Sequence, residues 1–139
     1  MALKPRYLAD KSALARFRDP AVEARLRPLL GEGRIATCAI VDLEVLYSAR
    51  DLADYEEVLE ERRSLPSVPL SKEIFAKAMT IQHQLARRGQ HRVAIPDVII
   101  AAAASSARLI VLHYDHDFDL IGATASVRHE WVVPRGSAG

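Results

Sequence analysis

The chain has 139 residues, half of them hydrophobic, a formal charge of +1 and a single cysteine. That length suits one domain with a real core. Near-neutral charge confines any polyanion-binding surface to a local patch. A lone Cys38 excludes an intramolecular disulfide and a cysteine-rich zinc site, as suits a reducing cytoplasm.

The opening MALKPRYLAD lacks the apolar stretch of a signal peptide, and the longest apolar run, VIIAAAA, is too short for a bilayer, so no membrane role is expected. RYLA (6–9) reads as a strand ending at Asp10, with a short helix over 12–18. Asp19 before Pro20 predicts an N-cap and a proline at the first helical position. Val22, Leu26, Leu29 and Leu30 share a face of that helix, Pro28 is expected to kink it, and Gly31 or Gly33 to end it.

Thr37 is expected to cap a helix over TCAIVDLEVLYSAR, apolar nearly all round. DLADYEEVLEERRSL follows as an amphipathic helix with Leu52, Tyr55, Val58 and Leu59 on one side. The two form a hairpin that could project from the body. Pro66 and Pro69 bracket a short extended piece. A helix starts at Ser71 and closes at Gly89, and Pro96 opens a buried helix over IPDVIIAAAASSARL. LIVLHY is a buried strand, HDFDLIGA a short helix or turn, and VRHEWVV a last strand. The domain is read as 1–133, with Pro/Gly/Ser-rich 134–139 as a loose tail. Apolar strands alternating with helices predict an α/β fold with a parallel sheet covered on both faces.

In such a sheet, ligands bind at the carboxyl ends of the strands. Asp10 ends the first strand, Asp115 ends LIVLHY, and Asp97 sits in the first turn after Pro96. Glu44 lies among Ile40, Val41, Tyr47 and Ser48 on its helix, an apolar face for a carboxylate. Four or five carboxylates are thus expected to converge. Burying them unpaired is costly, and no basic partner is evident for each. A divalent cation would serve the whole set, and all-oxygen ligands suit Mg²⁺ or Mn²⁺. The chemistry expected is activation of a water for in-line attack on a phosphodiester.

Each residue also has a plainer role open to it. Asp10 can cap the following helix, Asp97 can answer its helix dipole, and Asp117 and Asp119 can be solvated turn residues, Asp119 above all. Asp42 rivals Glu44, but it lies nearer the helix N-terminus, where a carboxylate is stabilised without help. A calcium loop over 115–126 fails, because its sixth position holds Leu120 and its twelfth Ser126. His113, His116 and Cys38 make a weak zinc set, with no second close pair. A serine hydrolase lacks its G-x-S-x-G elbow, and an aspartyl phosphatase would need an Asp at Ser12.

YLADKSAL, VDLEVLYSA, IPDVIIAAAA and VLHYDHDFDLI, in this order and spacing, resemble the PIN-domain ribonucleases, and within them the VapC-type toxins of toxin–antitoxin pairs. The resemblance covers nearly the whole chain. It implies a three-layer α/β/α sandwich, Mg²⁺- or Mn²⁺-dependent endonucleolytic cleavage of RNA, a VapB-type antitoxin and a homodimer. It makes Asp10 and Asp97 the main metal-coordinating aspartates. Glu44 completes the site directly or through water, Asp115 is the fourth acidic residue, Asp117 the second Asp of D-x-D-F, and Ser12 the small hydroxyl residue nearby. Two positions depart from the family pattern: Lys11 stands where Thr or Ser is common, and His113 where Thr is common.

RNA also needs cationic contacts to its backbone. Candidates are Lys11, Arg16 and Arg18 near the first motif, and Arg87, Arg88 and Arg92 in RRGQHR, which equally suit a solvated helix end. Few aromatics leave no base-stacking platform, so a structured RNA such as tRNA or rRNA is the expected substrate. Two rivals stay open: a PIN-like module that binds RNA or a partner without turnover, and a metal-dependent phosphohydrolase acting on small substrates.

Overall fold

The computed structural model describes residues 3–138. Strands β1 (Tyr7–Ala9), β2 (Ile35–Ala36), β3 (Ile110–His113) and β4 (His129–Trp131) form one sheet in the order β2-β1-β3-β4. Every neighbouring pair is parallel. The helices are α1 (Lys11–Leu14), α2 (Pro20–Gly31), α3 (Ala39–Tyr47), α4 (Leu52–Arg63), α5 (Lys72–Ala86), α6 (Ile95–Ser106) and α7 (Asp117–Thr124).

Period-2 alternation along the strands divides the core in two. Leu8 and Val111 enter a cluster with Val41, Ile81, Leu85, Ile100 and Phe118 from α3, α5, α6 and α7. Tyr7, Ala9, Ile110 and Leu112 enter another with Val22 and Leu26 of α2. The sheet is therefore covered on both faces, as its continuous apolar strands require. Ala101 to Ala104 of α6 are fully buried, and their small side chains let this helix lie close against its neighbours. Among the described residues no helix is long and apolar enough to cross a membrane.

Several local expectations are corrected. β2 was not anticipated, because two residues carry no periodic signal. The helix after Asp10 ends at Leu14, and the chain turns from there to Asp19. α2 ends at Gly31, as expected, with Pro28 inside it. Cys38, not Thr37, is the N-cap of α3, without a side-chain bond. Thr37 instead bridges Ser67, in the extended piece between Pro66 and Pro69. In α4, Val58 and Leu59 of the expected apolar side are half-buried, while Leu52 is 72% and Tyr55 39% exposed. The segment expected as a loose tail lies against the body at Ala138, which is buried and bonded to Tyr114; Gly139 is outside the described residues.

Candidate active site

Several elements meet at one cavity of about 310 Å³ at the carboxyl edge of the sheet, lined by Asp10, Lys11, Ser12, Ala15, Arg16, Glu44, Ala94, Pro96, Asp97 and Asp115. Asp10 leaves β1 and Asp115 follows β3, its paired neighbour. Asp97 arrives from the first turn of α6, and Glu44 from α3. Asp10, Asp97 and Asp115 each bring a carboxylate oxygen within 4.8 Å of the others. Glu44 shares the cavity but stands outside that triad.

Asp10 caps α1, as one of its two expected roles requires, and its carboxylate also faces the cavity. Its Oδ2 accepts from the Ser12 N–H at 3.0 Å and from Ser12 Oγ at 2.6 Å. Ser12 Oγ accepts from the Tyr114 N–H at 2.8 Å, tying the two strand ends together. Burial raises the Asp10 pKa even against the Ser12 bonds, and Asp115 adds to the rise.

Asp97 is only 6% exposed, and its Oδ2 is buried with no hydrogen-bond partner. Burial first, then the Asp10 charge, a bond to the Asp117 carboxyl and the charge of Asp115, push its pKa up to about 9. Burial and the charges of Asp10 and Asp115 also raise Glu44, against the opposing pull of Lys11. These are like charges assembled without enough counter-charge.

The remaining sequence candidates divide. The Asp117 N–H donates to Asp115 Oδ1 at 2.9 Å and its carboxyl meets Asp97, but it does not line the cavity. Lys11 and Arg16 line it; Arg18, Arg87, Arg88 and Arg92 do not. Arg88 is bound to the Ala123 carbonyl and Thr124 Oγ1 at the end of α7. Asp119 accepts from Trp131 Nε1 at 3.0 Å, a bond from outside its own turn. Asp42, the rival of Glu44, accepts from Arg62 Nε at 2.9 Å and Thr37 Oγ1 at 2.8 Å, while Arg62 Nη2 donates to Thr37 Oγ1. It is neutralised within the fold, and Glu44 is not.

The zinc set does not assemble: buried Cys38 and exposed His116 join no common cluster, and His113 meets His129 and Asp119 instead. The Asp115 N–H donates to His113 Nδ1 at 3.1 Å. Its other nitrogen, Nε2, then carries the proton and donates to His129 Nδ1 at 2.9 Å. Burial, with His129 beside it, lowers the His113 pKa to about 4. A neutral histidine thus takes up the Asp115 amide at the departure from the family pattern. Sequence reasoning missed His129, Tyr114, Trp131 and Arg62, all set by pairings across long stretches of chain.

The donor chemistry can be tested against a metal directly. A buried, unpartnered Asp97 oxygen beside the carboxylates of Asp10 and Asp115 fits a hard cation. Residues 7–123 match the family model described as PIN domain. The chain belongs to the PIN-domain family, on its VapC branch. It is 40% identical over 137 residues to Ribonuclease VapC51 of Mycobacterium tuberculosis, covering 99% of this chain and 98% of that one. It is 44% identical over 135 residues to Ribonuclease VapC21 of the same species, covering 96% and 98%. In three dimensions it resembles the crystal structure of VapBC-5, a member of the VapBC family of toxin–antitoxin systems from M. tuberculosis. That match has a TM-score of 0.67 and 26% identity, over 90% of this chain and 98% of the other.

Proposed function

We propose that this PIN domain is a ribonuclease toxin that hydrolyses RNA phosphodiester bonds endonucleolytically with Mg²⁺ or Mn²⁺. One observation carries the reading: three convergent carboxylates with the buried Asp97 Oδ2 left unpartnered. Asp10, Asp97 and Asp115 would hold the cation, with Asp117 supporting Asp97 and Asp115 from behind the cavity lining. When bound, such a cation supplies Lewis acidity toward water and toward a phosphate oxygen. Ser12 keeps the Asp10 carboxylate oriented. Glu44, outside the triad with a raised pKa, orients the attacking water and accepts its proton on a carboxylate oxygen. Lys11 and Arg16 face the incoming phosphates. In-line attack leaves a 5′-phosphate and a 3′-hydroxyl.

The VapBC names of the relatives support a VapB-type antitoxin as partner. A groove of about 600 Å³ suits an amphipathic helix, lined by Leu14, Phe17, Leu30, Val45, Val58 and Leu65. A second copy suits the exposed Phe75, Met79 and Ile95, which surround a smaller apolar cleft between α5 and α6. A cytoplasmic toxin acting on tRNA or rRNA completes the reading.

The test is RNA 5′-end mapping after brief induction in cells, beside purified protein on the same RNA with Mn²⁺ and with EDTA. New 5′ ends that appear with the wild type and Mn²⁺, and vanish in Asp97→Asn, are expected. The same ends from both proteins, or cleavage that persists in EDTA, would sink the proposal.

A further inference from the structure

Arg16 follows α1 and lines the carboxylate cavity. Arg25, Arg27, Arg50 and Arg62 are each paired with a carboxylate. Arg16, on the same cavity as Asp10, Glu44, Asp97 and Asp115, makes no ion pair among the described residues. Its Nη1 donates to the Ser12 carbonyl at 2.7 Å. Its guanidinium carbon stands 4.4 Å from the centre of the Tyr114 ring. Its Nε is buried without an acceptor. An unpaired buried donor is destabilising, so stability alone does not explain this stance.

Tyr114 is itself held at both ends. Its N–H donates to Ser12 Oγ at 2.8 Å, and Ser12 Oγ donates to Asp10. Its hydroxyl donates to the Ala138 carbonyl at 2.7 Å and accepts from the Ala138 N–H at 3.0 Å. Trp131 meets its ring edge-on at 5.2 Å. The C-terminal segment thus clamps the platform on which Arg16 lies. A guanidinium stacked on an aromatic ring and anchored through one nitrogen is already ordered, so binding an anion loses less freedom. A polynucleotide entering among Asp10, Glu44, Asp97 and Asp115 also needs a fixed cation at the wall.

We propose that Arg16 is the phosphate-binding arm of this cavity, gripping a non-bridging oxygen of bound RNA, and that the segment around Ala138 positions it through Tyr114. This rests on the nuclease reading and deepens it.

The test is fluorescence anisotropy of a fluorescein-labelled, random-sequence 20-nucleotide RNA (a length of roughly two site sizes), in EDTA and on an Asp97→Asn background so that nothing turns over. Adding Arg16→Ala is expected to raise Kd roughly tenfold and to lower the salt slope of log affinity by about 0.7. Tyr114→Phe, which keeps the ring, and deletion from Pro134 onward are each expected to raise Kd about threefold, and neither adds to Arg16→Ala. Mn²⁺ binding by calorimetry, on the wild-type background, is expected to survive Arg16→Ala.

An unchanged Kd and salt slope in Arg16→Ala overturns the proposal. So does loss of Mn²⁺ binding, which would make Arg16 an organiser of the carboxylates. Additive effects of Tyr114→Phe and Arg16→Ala overturn the positioning role of the tail. If Arg16→Ala does not fold, an unchanged Kd in Tyr114→Phe overturns the proposal by itself. Absence of cleavage by the unmodified protein sinks the nuclease reading separately and leaves the anisotropy result to judge Arg16.

Discussion

Asp97→Asn should stabilise the metal-free protein at neutral pH while abolishing its function. Asp97 is 6% exposed, and its pKa is pushed up to about 9 by burial and by the charges of Asp10 and Asp115. Below about pH 4 the carboxyl is protonated in both folded and unfolded chains, and its contribution to stability is fully present. As pH rises, the unfolded chain loses its proton first. Stability then falls by about 1.4 kcal/mol per pH unit until the folded group ionises near 9. At pH 7.5 that loss is on the order of 5 kcal/mol as a ceiling. Relaxation around the site, and the unpaired N–H groups of the new amide, leave a net gain of roughly 2–4 kcal/mol for the Asp97→Asn variant. At about 3 °C per kcal/mol the melting temperature rises by roughly 6–12 °C.

The assay is thermal and urea unfolding of both proteins in EDTA from pH 4 to pH 9. At pH 4 the variant should be the less stable protein by roughly 1–3 kcal/mol, because only the unpaired N–H groups of its amide count there, and it should overtake the wild type as the pH rises. Added Mn²⁺ should raise the melting temperature of the wild type and move the variant far less. A gap that stays constant across this range, or a variant less stable than the wild type at pH 7.5, would refute the picture of a carboxyl held protonated until a cation replaces its proton.

Three further outcomes are expected. Arg62→Met strands Asp42, whose side chain is about a quarter exposed, and should lower stability by about 2 kcal/mol in urea unfolding. Gly122→Ala should cost roughly 1–3 kcal/mol, because a Cβ there would lie 2.5 Å from His129 Cδ2 and Nε2 and push that ring off His113. The wild type is expected to run as a dimer in light scattering and the Phe75→Glu, Met79→Glu double variant as a monomer, since both side chains stand exposed beside the apolar cleft between α5 and α6.

Much of the carboxylate site is visible along the chain for a physical reason. Asp10 and Asp115 directly follow apolar strands, and Asp97 follows the proline that starts a buried helix. A parallel sheet puts all three at one edge. The choice between Asp42 and Glu44 is different. Both sit on α3; position on the helix favours Glu44 for the site, but it cannot show that Asp42 is answered by an arginine. Arg62, twenty positions further on, decides it by returning along α4 to bind Asp42. Thr37 looks like a cap locally and is drawn away by the same arginine. β2 is two residues long, too short for any pattern, and exists through its pairing with β1.

Local hydrophobic pattern, capping residues and strand-terminal acids determined the α/β class, most element positions and which acids lie at the carboxyl edge of the sheet, because each depends on neighbours within a few residues. Only the tertiary structure decided which charges are neutralised, that His113 hands its proton toward His129, and that the chain end reaches back to Tyr114 and so to Arg16. Those bonds join residues far apart in the chain. Their existence depends on how the layers close, which no local preference encodes.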